Sequence, residues 1–203
     1  MKIYIARHGE TEWNLQGRKQ GRLDSPLTER GIGQAIYFSE MFTGIPICAI
    51  YSSPLERALT TALIIGEKKN LEPIEIKDLV ECDYGVWEGM TNEEIEQNYP
   101  GELKKREDNK FDYRVERGES YKDCLERSKR VFEEIQNQRD ETILIVSHEM
   151  IIRTLIGLLI HLSNEGMLRI KHPNNIVYVI DREEKSAGYI EQNGKFKNGL
   201  LLR

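Results

Sequence analysis

The sequence of 203 residues predicts an α/β fold, a three-layer α/β/α sandwich with a mostly parallel sheet. Strand and helix patterns alternate along the chain, and the clearest buried strand, residues 142–148, leads directly into an apolar helix pattern. Such alternation is typical of parallel βαβ units. No linker, repeat or low-complexity tract divides the chain, so we expect a single domain over residues 1–203. The polar segment at about 90–118 interrupts the alternation, and we name it the lid segment because it is the best candidate for a lid.

The first half of the chain contains two strand–helix units. Residues 2–7 are mostly β-branched and aromatic, which predicts a buried strand. Thr28 is the expected N-cap of a helix whose apolar stripe comprises Ile32, Ala35, Ile36 and Phe42. Residues 48–53 form a second short strand, and a helix follows Pro54.

The second half begins with a weakly patterned third strand at 73–79. Two capping boxes then predict helix starts, Thr91-x-x-Glu94 and Ser120-x-x-Asp123, and the second helix is expected to run to about Gln138. After the strand at 142–148 and its helix, the segments IVYVIDR and AGYIEQN predict a hairpin.

Composition limits the classes of partner. The formal net charge is -5, which does not favour binding to nucleic acid or to an acidic membrane. The apolar run ILIVSHEMIIRTLIGLLI is broken by polar residues, and the start of the sequence has no pattern of a secretory signal, so we expect no membrane span and a cytoplasmic location. The cysteines Cys48, Cys82 and Cys124 are widely spaced and indicate neither a disulfide framework nor a zinc site.

Polar side chains follow three of the predicted strands. The junctions are Arg7-His8-Gly9, the segment from Ser52 to Arg57, and Ser147-His148-Glu149. Because the carboxyl ends of parallel strands meet at one edge of a sheet, two arginines and two histidines are expected to converge there. Arginine and histidine with little nearby acid suit a tetrahedral anion, most plausibly a phosphoryl group.

The chain offers few other ways to handle phosphate. It has no P-loop and no metal-ligand spacing, so we expect no metal and no cofactor. The nucleophile must then come from the site, and a histidine is able to form a covalent intermediate. Ser52 and Ser53 are rival nucleophiles, although their position before a helix favours capping.

The motifs together resemble one known family. RHGETEWN (7–14), LTERG (27–31), SSPLERALTTA (52–62), ECDYGVWEG (81–89), GES (118–120) and SHEM (147–150) resemble the histidine phosphatase superfamily, which includes cofactor-dependent phosphoglycerate mutase. The resemblance implies that His8 takes the phosphoryl group as a phosphohistidine while Arg7 holds its oxygens. It also implies that Arg57 and His148 complete the pocket, with Asn14 as a further donor. Glu81 would protonate the leaving oxygen and then activate water.

Other polar residues receive weaker interpretations. Gln20 and Gly21 could present backbone amides to the phosphate, while Glu10 and Glu88 are expected to organise loops. His161 and His172 are interpreted as capping or loop residues, and Trp13 and Trp87 as either pocket wall or core. The run from Lys104 to Arg106 is most simply a solvated helix face, but one of its residues, or Arg114, could reach the distal part of an anionic substrate.

Three functions remain to be separated. Mutases of the family carry Glu-Arg-x-Tyr-Gly-x-Leu-x-Gly where this chain has Cys82 and the sequence Trp87-Glu88-Gly89, which resembles the phosphatases. We therefore expect a phosphatase acting on a small phosphorylated metabolite. A phosphoglycerate mutase is the alternative, and a non-catalytic phosphoester-binding module is a third possibility that the presence of His8, His148 and Glu81 disfavours. The sequence leaves the physiological substrate and the oligomeric state open.

Overall fold

The fold is built on a mixed β-sheet. The computed structural model describes residues 1–136 and 142–203. The strands in this part of the chain are β1 (Lys2–Arg7), β2 (Ala49–Ser52), β3 (Ile74–Glu75), β4 (Thr142–Ser147), β5 (Ile176–Asp181), β6 (Ser186–Glu191) and β7 (Phe196–Asn198). They lie in the order β3-β2-β4-β1-β5-β6-β7.

The sheet has a parallel and an antiparallel half. Strands β3, β2, β4 and β1 pair in parallel, whereas β5 pairs antiparallel with β1 and continues through β6 and β7 as a meander. Arg7 is opposite Ser147 in the β1–β4 register, and Ser52 is opposite Val146 in the β2–β4 register. The carboxyl ends of the three central strands are therefore level, which places the three polar junctions at one edge.

Helices cover both faces of the sheet. They are α1 (Glu12–Leu15), α2 (Glu29–Met41), α3 (Glu56–Glu67), α4 (Asn92–Asn98), α5 (Glu102–Asp108), α6 (Tyr121–Gln136), α7 (Glu149–Leu159) and α8 (Asn164–Arg169). Short 3₁₀ turns occupy Phe42–Gly44, Lys77–Leu79 and Gly85–Trp87. Thr28 accepts the Gly31 N–H as the predicted N-cap of α2. The two predicted capping boxes also form, at Thr91 with Glu94 and at Ser120 with Asp123.

Strand alternation divides the core into two layers. Tyr4 and Ala6 of β1 pack with α2 and α3 through residues such as Phe38 and Ala62. Ile3 and Ile5 face the other side, where the core includes residues of α6 and α7 such as Val131, Ile151 and Leu155. Because period-two side chains bury on both faces, the predicted three-layer arrangement is confirmed.

The lid segment has a small core of its own. Trp87, Ile95 and Val115 are buried together, and Leu103 and Tyr113 pack against them. Trp87 is 1% exposed, so of its two interpretations core packing is correct. A cluster separate from the sheet is compatible with a lid, and both this role and the single-domain assignment stay predictions.

The sequence missed some elements. The third strand is limited to Ile74–Glu75, because the chain turns into a 3₁₀ helix at Lys77. The predicted C-terminal hairpin is confirmed, but β7 and α8 were not predicted. The predicted end of the helix at Gln138 lies outside the described residues. None of the helices within 1–136 and 142–203 is long and apolar enough to cross a membrane.

Candidate active site

A polar cleft of about 190 Å³ opens beyond the carboxyl ends of β1 and β2. It contains seven of the eight predicted site residues, and His148 lies directly behind it. The cleft is lined by Arg7, His8, Trp13, Asn14, Gly17, Arg18, Lys19, Gln20, Gly21, Arg57, Glu81, Tyr84 and Glu149. The three strand ends therefore converge on this cleft, as the sequence predicted.

His8 is held as a neutral imidazole with one defined tautomer. Its ring is 2% exposed, and Nδ1 lies 2.7 Å from the Gly9 carbonyl oxygen. A carbonyl only accepts hydrogen bonds, so Nδ1 carries the proton and Nε2 keeps its lone pair. Burial, reinforced by the charges of Arg7 and Arg57, lowers the pKa of His8 well below its usual range. The Nε2 atom is thus available as a nucleophile near neutral pH.

Arg57 is fixed by three acceptors from one loop. Its guanidinium donates to the Leu23 and Gly21 carbonyls at 2.7 and 2.8 Å and forms an ion pair of 2.7 Å with Asp24. The side chain is 1% exposed. A buried guanidinium held in this way has one orientation, which suits recognition of an anion with a fixed geometry.

Arg7 is anchored by a different set of residues. Its Nη1 donates to the His172 carbonyl at 3.2 Å and lies 3.3 Å from Glu149 Oε2. Glu149 also pairs with Arg153 and Arg203. Although burial raises it, these three arginines together lower the pKa of Glu149 to about 2, so this carboxylate is a fixed negative charge that orients Arg7.

His148 is positioned by Ser53. The His148 Nε2 and Ser53 Oγ atoms are 2.8 Å apart, and the His148 ring centre is 5.2 Å from that of His8. Ser53 Oγ also accepts the Leu55 N–H at 3.2 Å just before α3. The capping interpretation of Ser52 and Ser53 is wrong, because Leu55 is the N-cap of α3 and Asp24 accepts the N–H groups of Glu56 and Arg57 in its first turn. Ser53 instead orients His148.

Several buried polar atoms around the cleft have no hydrogen-bond partner in the described part of the chain. They are Arg7 Nε, Arg57 Nε, His148 Nδ1 and Gln20 Oε1. A buried polar atom without a partner typically costs about 1–3 kcal/mol. An anion with several oxygens would satisfy the arginine and histidine nitrogens, and a flipped Gln20 amide would present a further donor to it.

Glu81 is a buried carboxyl group at the same edge. It is 8% exposed, its Oε1 accepts the Cys82 N–H at 2.8 Å, and its Oε2 accepts the Met150 N–H at 3.4 Å. Burial raises its pKa, and the Cys82 N–H and the Arg57 charge offset only part of the effect. A carboxyl group with a raised pKa beside a cationic cleft is suited to donating a proton.

The two remaining predicted site residues contribute through local structure. Asn14 closes a capping box with Thr11, whose N–H donates to Asn14 Oδ1 at 3.1 Å, so only the amide nitrogen of Asn14 is left to donate into the cleft. Gly21 has a φ of +54°, and its carbonyl holds Arg57. A Cβ at Gly21 would overlap Glu88 Oε1. That the amides of Gln20 and Gly21 contact phosphate stays a prediction.

Comparison with known proteins identifies the family. The model of the histidine phosphatase superfamily (branch 1) matches residues 3–193. The chain belongs to the histidine phosphatase superfamily.

Relatives of this superfamily member are phosphatases by name. The chain is 34% identical to phosphoserine phosphatase 1 of Hydrogenobacter thermophilus over 95% of the chain and 92% of that protein. It is 35% identical to 6-phosphofructo-2-kinase/fructose-2,6-bisphosphatase 1 of Rattus norvegicus, over 86% of the chain but only 36% of that longer protein. The crystal structure of the alpha-ribazole phosphatase from Shigella flexneri matches with a TM-score of 0.83 and 27% identity, over 100% of this chain and 96% of that one.

His172 of this histidine phosphatase lies in a loop, as predicted, but its burial was not predicted. It is 2% exposed, packs edge-on against Tyr178 with ring centres 5.0 Å apart, and its carbonyl accepts a hydrogen bond from Arg7. Burial, with the nearby Arg7, lowers its pKa to about 3. Its place before Pro173 gave no signal of this role, whereas the loop interpretation of the exposed His161 is supported.

The structure also separates the minor candidates. Glu88 accepts the backbone N–H groups of Arg22 and Tyr84, and Glu10 accepts from Thr28, so both acids organise loops as predicted. Lys104 and Lys105 are solvated and ion-paired, and Arg114 pairs with Asp123 away from the cleft. Arg106 differs, because it stacks on the cleft residue Tyr84 with 5.5 Å between Cζ and the ring centre. The cleft residues with no role predicted from sequence are Gly17, Arg18, Lys19, Tyr84 and Glu149, of which Tyr84 and Glu149 lie within the motifs named above.

The fold brings two of the distant cysteines together. Ligand atoms of Cys82, Cys124 and Glu119 lie within 4.8 Å of one another, which the spacing in sequence did not indicate. The Glu119 carboxylate is already engaged by Arg127, Arg22 and the Asp83 N–H. Its oxygens are therefore committed to protein donors, and this cluster is a poor metal site.

Proposed function

We propose that this histidine phosphatase is a metal-independent phosphomonoesterase that moves the phosphoryl group of a small phosphorylated metabolite first to His8 and then to water. One observation carries the proposal. His8, whose Nε2 keeps its lone pair, lines one cleft with Arg7 and Arg57, and nitrogens of these two arginines and of His148 have no hydrogen-bond partner among the described residues. A phosphoryl-transfer transition state spreads negative charge over its equatorial oxygens, and fixed cationic donors stabilise that charge.

The first step forms a phosphohistidine. Nε2 of His8 attacks phosphorus, the bond from phosphorus to the ester oxygen breaks, and Glu81 gives its proton to the departing alkoxide. The Gly9 carbonyl retains the Nδ1 proton of His8, which stabilises the positive charge on the phosphorylated ring.

The second step returns the enzyme to its starting state. Glu81, now a carboxylate, removes a proton from water as the water oxygen attacks phosphorus and the bond to Nε2 breaks. The products are inorganic phosphate, neutral His8 and protonated Glu81. Raising the pKa of Glu81 by burial favours the protonated form from which the cycle begins.

The phosphatase relatives support hydrolysis over mutase chemistry. The proposal includes a cytoplasmic location, with which the free Cys48, Cys82 and Cys124 are compatible. Nucleic acids and membranes are not among the proposed partners, and the oligomeric state stays open.

The experiment that tests the proposal traps the intermediate. Enzyme mixed with radiolabelled phosphoester and quenched in alkali is expected to retain acid-labile label on His8. His8→Ala and the bulkier His8→Gln should both lose the label and at least about 10³-fold in kcat, the scale on which removal of a catalytic nucleophile acts. His161→Asn is the matched control, because His161 is exposed and lies outside the cleft. Turnover without label in wild type, or normal turnover in folded His8 variants, would mean that water attacks the ester directly.

A further inference from the structure

The backbone that follows the proposed nucleophile is held by side chains of other elements. The Gly9 N–H donates to Thr61 Oγ1 of α3 at 3.0 Å. The His8 carbonyl accepts from Asn174 Nδ2 at 2.7 Å. These two hydrogen bonds hold opposite ends of one peptide group, the one between His8 and Gly9. The position of His8 at the end of β1 is thus fixed on the backbone side of the residue.

The next peptide group, between Gly9 and Glu10, connects His8 to a glutamine of α2. Its carbonyl oxygen lies 2.7 Å from His8 Nδ1, and its N–H donates to Gln34 Oε1 at 2.8 Å. This peptide is trans, so its carbonyl and its N–H point in opposite directions. A chain of hydrogen bonds therefore runs from the Gln34 amide oxygen through the backbone to the imidazole.

The fold brings α2 close to this loop. Gln34 is 2% exposed, and Gly31 lies one turn before it on the same helix. A Cβ at Gly9 would overlap the Gly31 carbonyl, and a Cβ at Gly31 would overlap the Glu10 carbonyl. The two glycines let the helix and the loop pack backbone to backbone. Because the Glu10 N–H can only donate, the oxygen of the Gln34 amide must face it.

Such a chain of hydrogen bonds has a chemical effect at His8. Hydrogen bonds in series strengthen one another, because each polarises the groups that form the next. Donation from Glu10 N–H to Gln34 increases the negative charge on the Gly9 carbonyl oxygen. It also prevents rotation of the peptide, which would leave Nδ1 without its acceptor. The acceptor matters most when the imidazole carries positive charge, as the phosphorylated ring does.

We propose that Gln34 is a positioning residue for phosphoryl transfer. Acting through the Gly9–Glu10 peptide, it keeps the proton of His8 on Nδ1 and stabilises the charge of the phosphorylated ring. This inference rests on the proposed function and adds to it a side chain that does not line the cleft. The arrangement is analogous to the carboxylate that orients the histidine of a serine-protease triad, with a peptide group inserted between the two side chains.

Nuclear magnetic resonance measures the position of the proton directly. Long-range ¹H–¹⁵N correlations of histidine-labelled protein distinguish Nδ1–H from Nε2–H at neutral pH. The chain has four histidines, so the His8 signals are assigned from the spectrum of His8→Ala. Wild type should show the Nδ1–H tautomer of His8 alone. Gln34→Met keeps a long unbranched side chain but removes the acceptor, and it should show both tautomers.

The rate of the first chemical step is the second readout. The burst of nitrophenol from nitrophenyl phosphate measures phosphorylation of His8. Gln34→Met should lower the burst rate about 10-fold, the lower end of the cost of losing the partner behind a functional histidine. Gln34→Glu offers an oxygen at the same place and should recover most of the rate. The inhibition constant of inorganic phosphate should be unchanged in Gln34→Met, since Arg7 and Arg57 keep their own anchors.

Ser39→Ala is the control, because Ser39 is buried on the same helix and its hydroxyl has no hydrogen-bond partner within 1–136 and 142–203. It should leave the tautomer and the burst rate unchanged. Gln34→Leu is a second variant without the acceptor, so the test does not depend on the folding of one protein.

Three results would overturn the inference. They are a single Nδ1–H tautomer or a normal burst rate without the acceptor, a folded Gln34→Glu as slow as Gln34→Met, and an inhibition constant of phosphate that rises as much as the burst rate falls, which would indicate distortion of the whole cleft. The tautomer measurement needs no turnover. Failure of the proposed function is therefore seen separately, as absence of trapped phosphohistidine in wild type.

Discussion

Replacing Glu81 by glutamine is the sharpest probe of the proposed acid. The amide can keep the 2.8 Å hydrogen bond from Cys82 N–H through its oxygen. Its NH₂ group would then face the Met150 N–H, which now donates to Oε2 over 3.4 Å. Only the weaker of two hydrogen bonds is lost, so the free energy of unfolding should fall by about 1 kcal/mol and the protein should stay folded.

The catalytic loss should depend on the leaving group. An alkoxide leaving from a sugar or glycerol phosphate is strongly basic and needs a proton in the transition state, whereas nitrophenolate leaves nearly unaided. General acid catalysis contributes on the order of 10²–10⁴-fold, which is about 3–5 kcal/mol of barrier. Glu81→Gln should lose that factor in phosphorylation by alkyl phosphates and far less with nitrophenyl phosphate.

The assay must isolate the first step. Glu81 is also the proposed base for the water step, so steady-state turnover of every substrate should fall. Stopped-flow measurement with nitrophenyl phosphate should show a fast burst of nitrophenol followed by slow turnover, and rapid quench with glycerol phosphate should show a slow first step.

Glu88→Gln provides the comparison. Glu88 is a neighbouring acid of the same motif, but it accepts backbone N–H groups and organises a loop. Its replacement should slow both substrates by the same factor. If Glu81→Gln also lowered both first-step rates equally, Glu81 would be a positioning residue and another group would be the acid.

Three further predictions follow from the same site. Activity should survive exhaustive dialysis against a chelator without added magnesium, and loss of activity that a divalent ion restores would contradict the metal-independent mechanism. With 3-phosphoglycerate and a bisphosphate primer, phosphate release should exceed isomerisation, and efficient formation of 2-phosphoglycerate would identify a mutase. Burial lowers the pKa of His172 to about 3 in the folded protein, against about 6.5 in the unfolded chain, so protonation of the unfolded chain destabilises the fold as the pH falls below 6.5. Between pH 7.5 and 5, the free energy of unfolding in urea should therefore fall by about 2 kcal/mol less in His172→Gln than in wild type, and an identical fall in both proteins would refute this reasoning.

The sequence was sufficient to predict which residues meet at the sheet edge. Arg7 ends a strand, and Arg57 and His148 follow strands, whose apolar patterns are clear; level strand ends in a parallel sheet bring such residues together. The N-caps could also be predicted, because Thr28 and Thr91 accept hydrogen bonds from residues only three positions away in the chain. Short-range spacing and strand topology were enough for these features.

Contacts between residues distant in sequence could not be predicted. The tautomer of His8 depends on a backbone carbonyl, and the anchoring of Arg7 depends on His172, 165 residues away in the chain. In sequence, Lys104, Lys105 and Arg106 form one basic run, yet of these three only Arg106 lies over the cleft residue Tyr84. Which face of a short helix meets a distant element depends on packing that no local pattern encodes.

The site is arranged at the expense of the stability of the unliganded fold. The free energy of unfolding is lowered by the buried, neutral His8 and His148 and by the nitrogens of Arg7 and Arg57 that have no partner within 1–136 and 142–203. The surrounding layers compensate, because β1 and β4 are buried on both faces and their apolar side chains each contribute about 1.5–3 kcal/mol. Rigid strands thus hold donors in a geometry that needs no reorganisation when a phosphoryl group arrives. The same rigidity explains why the nucleophile and its two arginines lie at the end of a strand or in the helix turn that follows one.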